Sequence, residues 1–270
     1  MRLEIYLEPE SAELVLPIHY NYVVQSAIYS LLDLAQAEFL HNVGFSAGGR
    51  VFKGFTFSRL MGQFSLQPQA GAIVFTGRLR LVISSPIKGF CDALATRLLV
   101  GGGVRLHSSS VRTVSVTASE PKVQSESIAV RTLSPVVSYS TMQKADGSRY
   151  TVYYQPGEPE FARLASANLI KKAQALAGLT SIAGEATVRP VEQLRMSIID
   201  YKGTVIKGYS GRLGLQGPSV LLQMALDAGL GSKNSQGFGC LEYAPEGGSH
   251  ANREPDKAWK ASGGWRQQRG

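Results

Sequence analysis

Along residues 1–117 the hydrophobic period changes in a fixed order, and that order leaves the chain few folds to adopt. Residues 2–8 alternate as a half-buried strand does. From Asn21, a good N-cap residue, the period becomes helical: Val24, Ala27, Ile28, Leu31, Leu32 and Ala35 share one face, while Tyr22, Ser26, Tyr29 and Asp33 lie opposite. The tyrosines therefore face away from the core. The pattern predicts a break near Asp33, then a short second helix through Phe39 and Leu40 that stops before Gly44. A glycine-rich stretch at 46–54 precedes strand-like runs at 55–60 and 73–84. Pro86 opens another helix, with Phe90, Leu94 and Leu98 in register, which ends at the glycines 101–103. Residues 104–117 alternate again as a strand. Strand, helix, strand, strand, helix, strand is the split βαβ, or ferredoxin-like, plan.

Polar residues 119–127 read as a linker, and the same order then returns. Strands are expected at 128–133 and 149–154, a helix at 158–176, a hairpin of 193–200 with 204–213 around Lys202-Gly203, a helix at 219–226 and a last strand at 237–243. We therefore expect the α+β class, with two tandem ferredoxin-like (RRM-like, βαββαβ) domains at residues 1–120 and 126–244. Gly, Ser, Asn and charged residues dominate 245–270, which predicts a disordered basic tail.

Composition narrows the function class. Charged residues make up only 18% of the 270, too few for a disordered chain. The net charge of +8 and pI near 9.5 favour a polyanionic partner. Cys91 and Cys240 lack the close Cys or His companions of a tetrahedral metal site, so neither a metal nor any other cofactor is expected. The first residues read as a strand rather than a signal peptide, and no run of 18 apolar residues follows. A cytoplasmic protein with no membrane partner is the expectation.

Residues 229–239 read Gly-Leu-Gly-Ser-Lys-Asn-Ser-Gln-Gly-Phe-Gly. Gly229, Gly231, Gly237 and Gly239 can take positive φ and present backbone NH groups to a phosphate, with Lys233 as an added charge. The loop lies between a helix end and a strand, whereas dinucleotide and P-loop glycines lie between a strand and a helix N-terminus. A tight helix-to-strand turn is the alternative reading. Arg189, Arg195, Lys202, Lys207 and Arg212 cluster near the expected hairpin, as either an RNA-binding group or a solvated charged face.

The spacing Gly-hydrophobic-Gly, five residues, Gly-hydrophobic-Gly resembles the signature of the RAMP superfamily. In particular it is similar to the sixth CRISPR-associated (Cas) family, the endoribonucleases that process CRISPR precursor RNA. Further similar segments are Leu16-Pro-Ile-His-Tyr-Asn-Tyr through Ile28-Tyr29, Phe39-Leu-His41, Phe55-Thr-Phe-Ser, Thr132-Leu-Ser-Pro135 and Lys207-Gly-Tyr209. The resemblance implies tandem ferredoxin-like domains and metal-independent cleavage within CRISPR repeat transcripts, leaving 2′,3′-cyclic phosphate and 5′-hydroxyl ends. It implies CRISPR repeat RNA as partner, with a CRISPR effector complex as a further one, and a monomer or homodimer.

Metal-free RNA cleavage needs a group to move a proton and donors for the charge that develops on phosphate. Of the four histidines, His107 lies in a strand region, His250 in the tail, and His19 just before the first helix, where it can satisfy free NH groups. By position alone His41 is a partner for a helix dipole. The resemblance instead makes His41 catalytic, with Tyr29 on the helix and Lys53 as the cation, Arg50 being the alternative cation. From the basic excess, Gly229, Gly231, Lys233, Gly237 and Gly239 of the loop, with Arg195 and Lys207, are expected to hold RNA. Tyr29 and His41 would be about 120° out of register on one unbroken helix, so the break near Asp33 is required. The competing readings are a non-catalytic RAMP-type subunit that binds guide RNA and a tandem-RRM protein. The first would have no reason to bring Tyr29, His41 and Lys53 together; the second would need an aromatic RNP motif, which is not apparent.

Overall fold

Alternation of buried and half-buried side chains makes Arg2–Pro9 the first strand, β1, with Leu3, Ile5 and Leu7 buried. The computed structural model describes residues 1–244. After β1 come β2 (Glu13–Pro17), α1 (Asn21–Ser30), α2 (Leu34–Glu38), β3 (Phe45–Ala47), β4 (Arg50–Phe52), β5 (Thr56–Phe57), β6 (Met61–Gln67), β7 (Ala72–Ser84), α3 (Lys88–Gly101), β8 (Gly103–Leu106) and β9 (Ser109–Ser119). One antiparallel sheet forms around β7. Along one edge of β7, β1 pairs with its second half (Arg2↔Ser84 to Leu7↔Leu79) and β2 with its first (Glu13↔Thr76 to Pro17↔Ala72). Along the other edge lie β5 and β6, and β9 with β8 completes the sheet beyond β1. Counted by line, the order is second, third, first, fourth, which is the ferredoxin-like arrangement. Val24 and Ile28 of α1 and Leu94 and Leu98 of α3 bury their apolar faces with Ile5, Leu81 and Ile83 of the sheet.

The second half repeats the plan with β10 (Ser127–Thr132), β11 (Ser138–Gln143), β12 (Arg149–Tyr154), α4 (Pro159–Ala177), β13 (Thr187–Pro190), β14 (Arg195–Tyr201), β15 (Thr204–Ser210), β16 (Arg212–Gln216), α5 (Ser219–Ala228) and β17 (Leu241–Tyr243). Its sheet runs β13-β16-β10-β17, again second, third, first, fourth. Phe161, Ala165 and Leu169 of α4 and Leu222 and Leu226 of α5 cover Val130, Leu213 and Leu215. Two hairpins are inserted: β11–β12 before α4, and β14–β15 between the second and third strands.

The ferredoxin-like plan follows the sequence reading, but β2 was not among the expected strands, and the hairpin expected at 193–213 is the inserted β14–β15 pair, with β13 and β16 as the second and third strands of the sheet. The run at 55–60 is a strand only at β5; the longer paired segment is β6, where Phe64 and Leu66 alternate with exposed polar residues and pack half-buried on the core. Residues 104–117 form two strands, turned at His107 with φ 58. Edge strands β11 and β13 were not expected, and β17 is shorter than 237–243 because Gly237 and Gly239 are left-handed. Asn21 is not the N-cap: Tyr20 occupies that position with no side-chain cap, so neither Asn21 nor His19 satisfies the helix NH groups that way. The tail, with His250, lies outside the described residues. Among the described residues no helix is long and apolar enough to cross a membrane.

Candidate functional site

The break that the sequence requires is present. Helix α1 stops at Ser30, and Asp33 caps α2 by accepting from the Gln36 NH at 2.7 Å. Residues Phe39–Val43 then form a π turn, closed by the Gly44 NH on the Phe39 carbonyl at 2.7 Å. This widened turn swings His41 back to Tyr29: the two rings meet edge to face, centroids 6.4 Å apart. Tyr29 is held in turn against Phe55 at 5.9 Å.

Lys53 arrives by a different device. Residues 44–52 double back as the hairpin β3–β4, pairing Phe45 with Phe52 and Ala47 with Arg50 around Gly48 and Gly49. The hairpin absorbs the long glycine-rich stretch and returns the chain, so that the Lys53 ammonium donates to the His41 carbonyl at 2.9 Å. The structure thus brings Tyr29, His41 and Lys53 into one place. Arg50 sits at the hairpin turn, where its charge opposes the ammonium of Lys172.

His41 is exposed, and its Nδ1 lies 2.9 Å from the Asn42 Oδ1. An amide oxygen only accepts, so Nδ1 is the donor in this contact and Nε2 is the ring nitrogen left for a substrate. Burial holds the Tyr29 phenol above the usual tyrosine range, so at neutral pH it is an O–H donor. Partial burial lowers the Lys53 ammonium from the usual lysine value. Tyr201, from β14, donates to Gln25 of α1, and burial together with the nearby Tyr29 pushes it up to about 12.

The glycine loop has a different structure from the phosphate cradle expected of it. Gly229, Gly231, Gly237 and Gly239 all have φ between 72° and 84°, but all four are buried. A Cβ would stand 2.3 Å from the Val137 carbonyl oxygen at Gly231 and 2.1 Å from the Leu230 oxygen at Gly239. Their neighbouring amides point inward: the Leu230 NH to the Gly239 carbonyl (2.9 Å), the Ser232 NH to Val137 (2.7 Å) and the Gly239 NH to Pro135 (2.8 Å). The glycines therefore allow the loop to be compact. What reaches the surface is Ser232, Lys233, Ser235 and Gln236, with the Lys233 ammonium 5.3 Å over the Tyr139 ring. Gly239→Ala, strained at φ +74 and overlapping backbone, is expected to destabilise the protein by about 2–4 kcal/mol in denaturant unfolding.

The loop is docked on the first domain. The Asn21 amide donates to the Gln236 and Gly237 carbonyls at 2.9 and 3.1 Å, and the Thr56 hydroxyl to Phe238 at 3.0 Å. Helix α1 thus carries the loop contact at Asn21 and, about 12 Å further along its axis, Tyr29. Arg195 and Lys207 are exposed on the β14–β15 hairpin, but register places them on opposite faces: Arg195 pairs with Ser210, and Lys207 with Ile198. The basic residues near the hairpin are not one patch. Sequence reasoning missed Lys172, which is 2% exposed on α4; the signal was a lysine in step with the buried Phe161, Ala165 and Leu169.

Comparison with known proteins agrees with the fold. Residues 118–243 match the family model described as CRISPR associated protein Cas6, C-terminal. The CRISPR-associated endoribonuclease Cas6 1 of Methanocaldococcus jannaschii is 28% identical over 248 residues, covering 89% of this chain and 92% of that protein. A solved structure of a Cas6-related gene product from Pyrococcus furiosus superposes with a TM-score of 0.78 at 19% identity, over 92% of this chain and 99% of that one. A RAMP protein described as binding different RNA substrates gives 0.76 at 21% identity, over 91% and 100%. Residues 118–243 are thus similar to the Cas6 C-terminal family model, and the chain shares its fold with the Cas6-related P. furiosus protein along about nine-tenths of its length.

Proposed function

We propose that this protein is an endoribonuclease that cuts within CRISPR repeat transcripts to give guide RNAs. The observation that carries the reading is the meeting of Tyr29, His41 and Lys53, built from a helix break, a π turn and a hairpin that a packing role alone does not require. The M. jannaschii relative, named an endoribonuclease, supports the reaction class, and the RAMP protein that binds RNA supports the ligand.

In this mechanism Nε2 of His41 takes the proton of a ribose 2′-hydroxyl. The 2′-oxygen attacks the adjacent phosphorus, the bond to the 5′-oxygen breaks, and the imidazolium returns its proton to that oxygen. The Tyr29 O–H orients the phosphate, and the Lys53 ammonium stabilises the charge on its equatorial oxygens. The products are a 2′,3′-cyclic phosphate and a 5′-hydroxyl. The nucleophile belongs to the substrate, so no metal-activated water takes part. RNA lies along α1 from Lys233 to His41, drawn by the net charge of +8. A CRISPR effector complex is the destination of the product.

The test is incubation of the host's repeat RNA with the protein in EDTA, followed by analysis of product ends. Cleavage with a 2′,3′-cyclic phosphate is the expected result. Cleavage that stops in chelator and resumes with magnesium excludes the mechanism, and binding without cleavage makes the protein a guide-RNA-binding subunit.

A further inference from the structure

Helix α4 holds two adjacent lysines that reach in different directions. The Lys171 ammonium donates to the Gly48 carbonyl, at the turn of the β3–β4 hairpin, at 3.0 Å. The Lys172 ammonium, buried between α4 and the glycine loop, donates to the carbonyls of Gly229 at 2.5 Å and Gly231 at 3.0 Å. No carboxylate offsets its charge: among the described residues the charged group that acts on it is Arg50, which repels it, and burial takes the ammonium down to about 7.

A buried ammonium without a counter-ion opposes folding, and a Leu or Met would suit the apolar stripe of Phe161, Ala165 and Leu169 better. The loop supplies a reason for lysine. Left-handed φ at Gly229 and Gly231 helps turn two carbonyls toward α4, and buried acceptors need donors. The nearby loop amides of Leu230, Ser232 and Gly239 are already committed to other carbonyls. One side chain with several donors, reaching from α4, satisfies both.

From this we infer that Lys172 is a positioning residue for RNA binding: its ammonium ties the Gly229–Gly231 segment to α4 and thereby sets Ser232 and Lys233 at the RNA-facing surface. The inference rests on the proposed RNA-cleaving function. Lys171 ties the segment between His41 and Lys53 to the same helix, so α4 fixes the loop and the cutting site relative to one another.

The experiment compares full-length wild type, Lys172→Met, which keeps the aliphatic stem and removes the donors, and Lys172→Gln, which keeps an uncharged donor. Amide exchange is read at Leu230, Ser232 and Gly239 without RNA, alongside repeat-RNA affinity and single-turnover cleavage at saturating protein. In Lys172→Met, loop exchange is expected to quicken and RNA affinity to fall, each about tenfold, with cleavage of bound RNA within about threefold of wild type. Lys172→Gln is expected to recover a substantial part of both losses. Unchanged loop exchange and affinity overturn the inference. So does quickened exchange throughout β10 and β16 together with an equal loss of binding and cleavage, which marks a general structural role. If wild type itself does not cut RNA, the proposed function fails, while loop exchange and RNA affinity still decide what Lys172 does.

Discussion

His41→Ala is expected to bind repeat RNA as wild type does and to cut it at least roughly a hundredfold more slowly, in single-turnover assays with affinity measured alongside. The separation of binding from cleavage follows from where the side chain stands. His41 is exposed, and its ring touches Asn42 and the edge of Tyr29, so its removal leaves no buried cavity and the fold persists. The Lys53 contact is with the His41 backbone oxygen, which alanine retains. Only the proton-transfer group is lost. A variant that cuts at the wild-type rate would remove His41 from the mechanism.

Lys53→Met should lower the cleavage rate of bound RNA by about a hundredfold, the usual consequence of losing one preorganised donor to a charged transition state. Its ammonium is fixed by the His41 carbonyl, so the charge is already in place before substrate arrives. Arg50→Ala provides the contrast. Arg50 stands exposed at the turn of the hairpin, with its charge opposed to that of Lys172, and its loss is expected to change the rate by less than about threefold. If the two variants exchange these effects, Arg50 is the catalytic cation and the contact of Lys53 with His41 is structural.

The element order was legible because it rests on periodicity. Val24, Ile28, Leu94 and Leu98 on helices, and Ile5, Leu81 and Ile83 on strands, mark two surfaces that can only bury one another. Strands β11 and β13 escaped notice for the converse reason: as edge strands they are held by backbone pairing on one side and show little apolar alternation. The loop glycines were legible as a motif but not as a structure. Their spacing gives left-handed backbone; only the neighbours Val137, Leu230 and Phe57 show that this freedom serves close packing.

The resemblance to a known family supplied Tyr29, His41 and Lys53 as the group to watch; the sequence pattern by itself determined the plan of two ferredoxin-like domains and the break near Asp33. Local propensity and turn chemistry carry that information, since each acts over a few residues. Tertiary structure alone decided that Lys53 rather than Arg50 meets His41, because the hairpin closes through backbone bonds between residues 45 and 52. It alone decided that Arg195 and Lys207 face apart, since strand register fixes which side chains share a face. And it alone gave the buried Lys172 its purpose, because the carbonyls that need its protons lie 57 and 59 residues further along the chain.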